Sequence, residues 1–160
     1  ALTAARYRAL GPGIKDTGVT ESGLRPVFYL SDQTHDCARK AIEILGFGRQ
    51  HMHMVSSVAD DCMNPDALAA AIDADVARGR MPGAVVATLG AVNTGAADDL
   101  DAIANVCRSR SVWLHVDGAF GAWTVLTESH RRLSAGVERA DSLVSTCTSG
   151  CIRPTTSVAC

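Results

Sequence analysis

The 160-residue sequence predicts a three-layer α/β fold built on a mostly parallel sheet. Short apolar runs alternate with segments of helical periodicity, the order expected when each strand is followed by a crossover helix. Residues 84–89 are apolar almost throughout, which suits a strand covered on both faces. The composition is 47% hydrophobic and 20% charged with a net charge of −2, so there is material for a core and no basic excess. That balance excludes a disordered chain and argues against a nucleic-acid partner. The longest nearly apolar run, 84–92, is about half of what a membrane-spanning helix needs, and the N-terminus lacks a signal-peptide pattern.

Residues 1–10 read as a helix stopped by Gly11-Pro12-Gly13, and a polar stretch follows. Val27 to Leu30 reads as a strand, with Ser31 or Asp32 capping a helix from His35 to Leu45. Ala38, Ala41, Ile42 and Leu45 share one face of that helix, and Gly46 and Gly48 end it. Met52 to Val55 is a short strand. Asn64-Pro65 opens a helix striped by Leu68, Ala71, Ile72 and Val76, and Met81-Pro82-Gly83 is expected to break it before the apolar strand. A turn-rich loop covers 90–97, and Asp98 or Asp99 caps a helix through Leu100, Ile103, Ala104 and Cys107. Residues 112–116 form the next strand, ending at Asp117, and Ser142 to Val144 starts another. Among the six cysteines, Cys37 and Cys107 read as reduced, buried packing residues.

In sheets of this kind ligands bind beyond the carboxyl ends of the strands. Three polar clusters fall there: 31–35, 90–95 and 117–119. Asp117 follows an apolar strand and precedes Gly118, Ala119 and Gly121, which leaves room for a flat ligand; the same pattern also suits a turn or a cap. His35 sits at a strand-to-helix junction and is equally readable as a capping imidazole. His115 is read as a supporting or core residue.

Taken together these segments resemble group II pyridoxal-phosphate-dependent amino-acid decarboxylases. Ser31-Asp32-Gln33-Thr34-His35 is similar to the segment carrying that family's ring-stacking histidine. Val86-Ala87-Thr88-Leu89-Gly90 with Asn93-Thr94-Gly95 resembles its next cofactor loop, and Trp113 to Gly121 its aspartate signature. The resemblance implies the large domain of a fold type I, aspartate-aminotransferase-like enzyme with pyridoxal 5'-phosphate as cofactor. It implies that Asp117 pairs with the ring nitrogen, that His35 stacks on one ring face, and that Ala119 admits the other. Thr94 is a weaker contact. Ala91 and Val92 stand where many members carry hydroxyls, so no hydroxyl contact is carried onto them. No metal site is expected.

The resemblance runs through residue 144 and then breaks. The family's Schiff-base lysine is expected at the position of Ser149, with Thr148 where a histidine belongs, so the catalytic lysine is absent. Residues 145–160 hold no Asp, Glu or Lys, seven Ser or Thr, and three of the six cysteines. Read one base out of register from Val144, compatible codons spell Val-Asp-Leu-His-Lys-Trp, with the lysine across codons 148 and 149. A one-base deletion near codon 144 or 145 is therefore expected, making 1–144 part of a cofactor-binding domain and 145–160 an out-of-frame tail. A Cys147-x3-Cys151 metal site lacks a second ligand pair.

The resemblance implies a cytoplasmic, homodimeric parent that converts an amino acid to an amine and carbon dioxide, with no nucleic-acid or membrane partner. The chain as written is expected to be an inactive interior slice of such an enzyme. Another fold type I lyase or transferase, or a non-functional truncated product, is the alternative.

Overall fold

A computed structural model describes residues 1–21 and 23–146. Five strands form one sheet: β1 (Pro26–Ser31), β2 (Met52–Val55), β3 (Met81–Thr88), β4 (Trp113–Asp117) and β5 (Ser142–Val144). Their order is β2-β1-β3-β4-β5, and every neighbouring pair is parallel. Five helices accompany them: α1 (Leu2–Leu10), α2 (Ile14–Glu21), α3 (Asp36–Ile44), α4 (Pro65–Ala77) and α5 (Leu100–Ser109).

Strand alternation builds the layers. Val27 and Tyr29 of β1, with Val85 and Ala87 of β3 and Leu114 and Val116 of β4, pack against α4 and α5. Phe28 and Leu30, with Ala84 and Val86, pack against α1 and α3 through Leu2, Ala5, Ala38 and Ile42. The sheet is thus buried on both faces, which is why β1 and β3 read as continuous apolar runs. Each fully buried Leu, Ile, Val or Phe contributes about 1.5–3 kcal/mol relative to exposure.

The connection β1-α3-β2 runs in one direction along the sheet, and β2-α4-β3 returns past β1 to its other side. Right-handed crossovers in opposite directions place their helices on opposite faces. The chain therefore diverges between the carboxyl ends of β1 and β3, and a crevice opens there.

Local chemistry sets several boundaries differently from the sequence reading. The polar stretch after Gly13 contains α2, broken at Gly18, whose φ is +71°. Neither Ser31 nor Asp32 caps α3. Ser31 ends β1, and its N–H donates to Thr34 Oγ1 at 3.0 Å, closing a turn that delivers His35 as the cap. Helix α4 is capped by Asn64, whose side chain accepts from Asp66 and Ala67 N–H, as Asn-Pro predicts. It ends at Ala77 because Gly79 turns left-handed at φ +72°. Met81-Pro82-Gly83 is not the break but the start of β3, where Pro82 coincides with a register shift against β1. Of the two aspartates, Asp99 caps α5, accepting from Ala102 N–H.

Cys107 is buried, but Cys37 is exposed, so its packing role is not borne out. Among the described residues Cys37, Cys62 and Cys107 form no disulfide, and no helix is long and apolar enough to cross a membrane. Ser149 and Cys147, Cys151 and Cys160 lie outside the described residues.

Candidate cofactor site

A cavity of about 310 Å³ opens at the carboxyl ends of β1, β3, β4 and β5, at the low end of the range for small-molecule sites. Its walls come from the loops that follow those strands. Gln33 and His35 approach from the β1–α3 turn, Cys37 from the first turn of α3, Gly90, Ala91 and Val92 from the β3 loop, and Ala119 and Phe120 from the β4 loop. Val144 and Thr146 close the β5 side.

Asp117 is the last residue of β4 and lines this cavity. Its Oδ1 accepts the Ala119 N–H at 3.1 Å, an Asx-type bond that turns the backbone and orients the carboxylate. Gly118 follows because a Cβ there would approach Ala122 Cβ and Leu143 Cδ1 at 2.9 Å. At Gly121 a Cβ would run into the Leu89 carbonyl group, so only glycine lets the β4 loop lie against the end of β3. The Gly121 N–H donates to that carbonyl at 2.9 Å.

His35 lines the same cavity as this loop. Its Nδ1 accepts the Cys37 N–H at 3.3 Å, which puts the neutral ring's proton on Nε2. Partial burial and the nearby Asp117 charge push the Cys37 thiol up from its ordinary value. Two more residues of the expected set behave differently from one another. Ala119 lines the cavity; Thr94 does not, and its Oγ1 instead accepts the Ala96 N–H at 3.2 Å within an exposed loop.

His115 supports the site from below. It is buried, and its Nδ1 lies 3.0 Å from Ser142 Oγ and 3.2 Å from the Ser142 carbonyl, joining β4 to β5 two residues before Asp117. Burial holds its pKa below the usual imidazole value.

Two residues carry weight that the sequence reading did not assign. Thr88 ends β3, lines the cavity, and has a buried Oγ1 with no hydrogen-bond partner. Asp98, expected as a possible cap, is buried and accepts the N–H groups of Thr88 and Met63 at 2.7 Å each. Burial raises its pKa, and the two N–H donors act against that rise. The run of Thr88 with a second carboxylate ten residues on was visible, but only the fold shows that they meet.

These residues fit a flat, cationic ring. Asp117 is the one carboxylate that lines the cavity among the described residues. Small residues flank it, and Thr88 offers an unused hydroxyl. No described Lys or Arg lines the cavity. Among the described residues no group of three or more His, Cys, Asp or Glu is placed to hold a metal ion.

The all-parallel sheet flanked by helices is that of the large domain of a fold type I pyridoxal phosphate enzyme. Residues 1–150 match the pyridoxal-dependent decarboxylase conserved domain, and the chain belongs to that family. It is 35% identical over 143 residues to an aromatic-L-amino-acid decarboxylase of Bacillus atrophaeus, covering 89% of this chain and 28% of that protein. It is 39% identical over 144 residues to the acidic amino acid decarboxylase GADL1 of Mus musculus, covering 89% of this chain and 26% of that protein. Among solved structures, the crystal structure of mouse CSAD superposes with a TM-score of 0.87 at 33% identity, over 91% of this chain and 30% of that one. The chain thus spans under a third of the length of these relatives.

Proposed function

We propose that this chain is the part of an amino-acid decarboxylase that receives the cofactor ring, with Asp117, His35 and Ala119 as its cofactor-binding residues. The observation that carries the reading is the Asp117 carboxylate, oriented by Ala119 N–H in a cavity that holds no other carboxylate among the described residues. An anion so placed favours a protonated ring nitrogen. When bound, pyridoxal phosphate supplies a sink for the electron pair left behind as carbon dioxide departs. Asp117 would keep the proton on the ring nitrogen, His35 would stack on one ring face, and Ala119 would admit the ring on the other. Thr94 is the weaker contact of the set: its hydroxyl accepts the Ala96 N–H, and it does not line the cavity.

The substrate is an amino acid; aromatic and acidic substrates both occur in the names of relatives. The parent is read as a cytoplasmic homodimer; the three thiols without a disulfide among the described residues suit the reducing compartment of that reading. With Ser149 where the family pattern places lysine, the chain as written is read as unable to bind the cofactor covalently. The division into 1–144 and an out-of-frame 145–160 accounts for that loss and for the clustered cysteines together.

Two experiments test the reading. Titration of pyridoxamine 5'-phosphate, which requires no lysine, gives saturable binding in the wild type and at least ten-fold weaker binding in Asp117→Ala; equal binding removes Asp117 from the site. Sequencing the source DNA across codons 140–160 finds a missing base; an unambiguous intact frame removes the frame-slip proposal.

A further inference from the structure

We propose that Thr88 is the positioning residue for Asp117, its hydroxyl holding the carboxylate in the orientation that receives a protonated ring nitrogen. The inference rests on the cofactor-ring reading above and adds a residue to it.

Thr88 and Asp117 are register partners in the parallel pair β3–β4. Register partners leave a sheet on the same face. Here it is the face of Ala84 and Val86, opposite the one that Leu114 and Val116 cover. Thr88 and Asp117 therefore stand side by side on one face of the sheet, and both line the cavity. The Thr88 hydroxyl is buried and unpartnered, an arrangement that costs stability and that a valine would avoid. Its backbone is pinned, because the buried Asp98 accepts the Thr88 N–H at 2.7 Å. The remaining freedom is rotation about χ1, which swings Oγ1 without moving the strand. Asp117 Oδ1 already accepts the Ala119 N–H, leaving Oδ2 for further donors. A Thr88 hydroxyl turned to this carboxylate gains its missing acceptor and fixes the second oxygen, so that an incoming ring N–H meets an ordered anion.

The test compares pyridoxamine 5'-phosphate with its 1-deaza analogue, in which C–H replaces the ring nitrogen, by calorimetric titration into the 160-residue chain. Thermal melts verify folding of each variant. Thr88→Val is expected to weaken pyridoxamine 5'-phosphate binding roughly five-fold and Thr88→Ser to restore it to within about two-fold, with the deaza analogue unaffected by either. If Thr88→Val binds pyridoxamine 5'-phosphate as wild type does, or weakens both ligands equally, the positioning role is overturned and Thr88 only shapes the cavity. If the wild type itself shows no preference for the ring nitrogen, the cofactor-ring reading fails, and Thr88's role with it.

Discussion

Asp98 accepts the backbone N–H of Thr88 through one carboxylate oxygen and that of Met63 through the other, both at 2.7 Å. One buried side chain thereby ties the carboxyl end of β3, where the cavity begins, to the segment leading into α4. The bond fixes the backbone of Thr88, a residue that lines the cavity.

Asp98→Asn replaces one acceptor oxygen with an amide N–H₂ that confronts a backbone N–H. Leaving a buried donor unmet costs about 1–3 kcal/mol. The variant is expected to unfold at lower urea with an unchanged slope. It also weakens pyridoxamine 5'-phosphate binding, because Thr88 loses its anchor. An unchanged urea midpoint would show that the two bonds contribute nothing net.

Gly121→Ala drives a Cβ into the Leu89 carbonyl group, which is backbone and cannot rotate away. Overpacking of this kind costs about 1–3 kcal/mol. The expected result is a lower melting temperature and loss of ligand binding, since the β4 loop forms the cavity wall. Gly95 has nothing within 4 Å but a φ of +73°. Its alanine variant is expected to lower the melting temperature less and to leave binding intact, which separates wall displacement from backbone strain.

His115 has a folded-state pKa below its ordinary value, because burial disfavours the imidazolium. The unfolded chain therefore binds a proton more readily. The stability linked to this residue is present above the unfolded pKa, about 6.5, and is lost as the pH falls from there through the depressed value. His115→Asn keeps a donor for Ser142 but does not titrate. Chemical denaturation at pH 8 is expected to favour the wild type, with the gap narrowing as pH falls below about 6.5. A gap independent of pH would contradict the assignment.

The described thiols should react in a fixed order. Cys37 is exposed at the cavity, Cys62 is half-buried, and Cys107 is buried with its pKa pushed up to about 12 by burial and by Asp141. Alkylation followed by peptide mapping is expected to mark Cys37 first and Cys107 last. Bound pyridoxamine 5'-phosphate should slow Cys37 labelling and leave Cys62 unchanged. Equal rates with and without ligand would place the ligand elsewhere.

Much of this architecture is legible in the sequence. Continuous apolar runs and period-3.6 apolar patterns are local, so β1, β3, β4, α3, α4 and α5 could be read from residues in succession, as could the Asn64-Pro65 start of α4. Asp117 and Ala119 stood out because a carboxylate at a strand end beside small residues is also a local pattern. What the chain order could not show were the pairings across it. Thr88 and Asp117 lie 29 positions apart, and Met63 and Asp98 35 apart; only strand register and crossover direction bring them together. The same limit misplaced Asp98 as a possible cap, Cys37 as a packing residue and Met81-Pro82-Gly83 as a break. Each was judged by neighbours in sequence, while burial and hydrogen bonding are decided by neighbours in space.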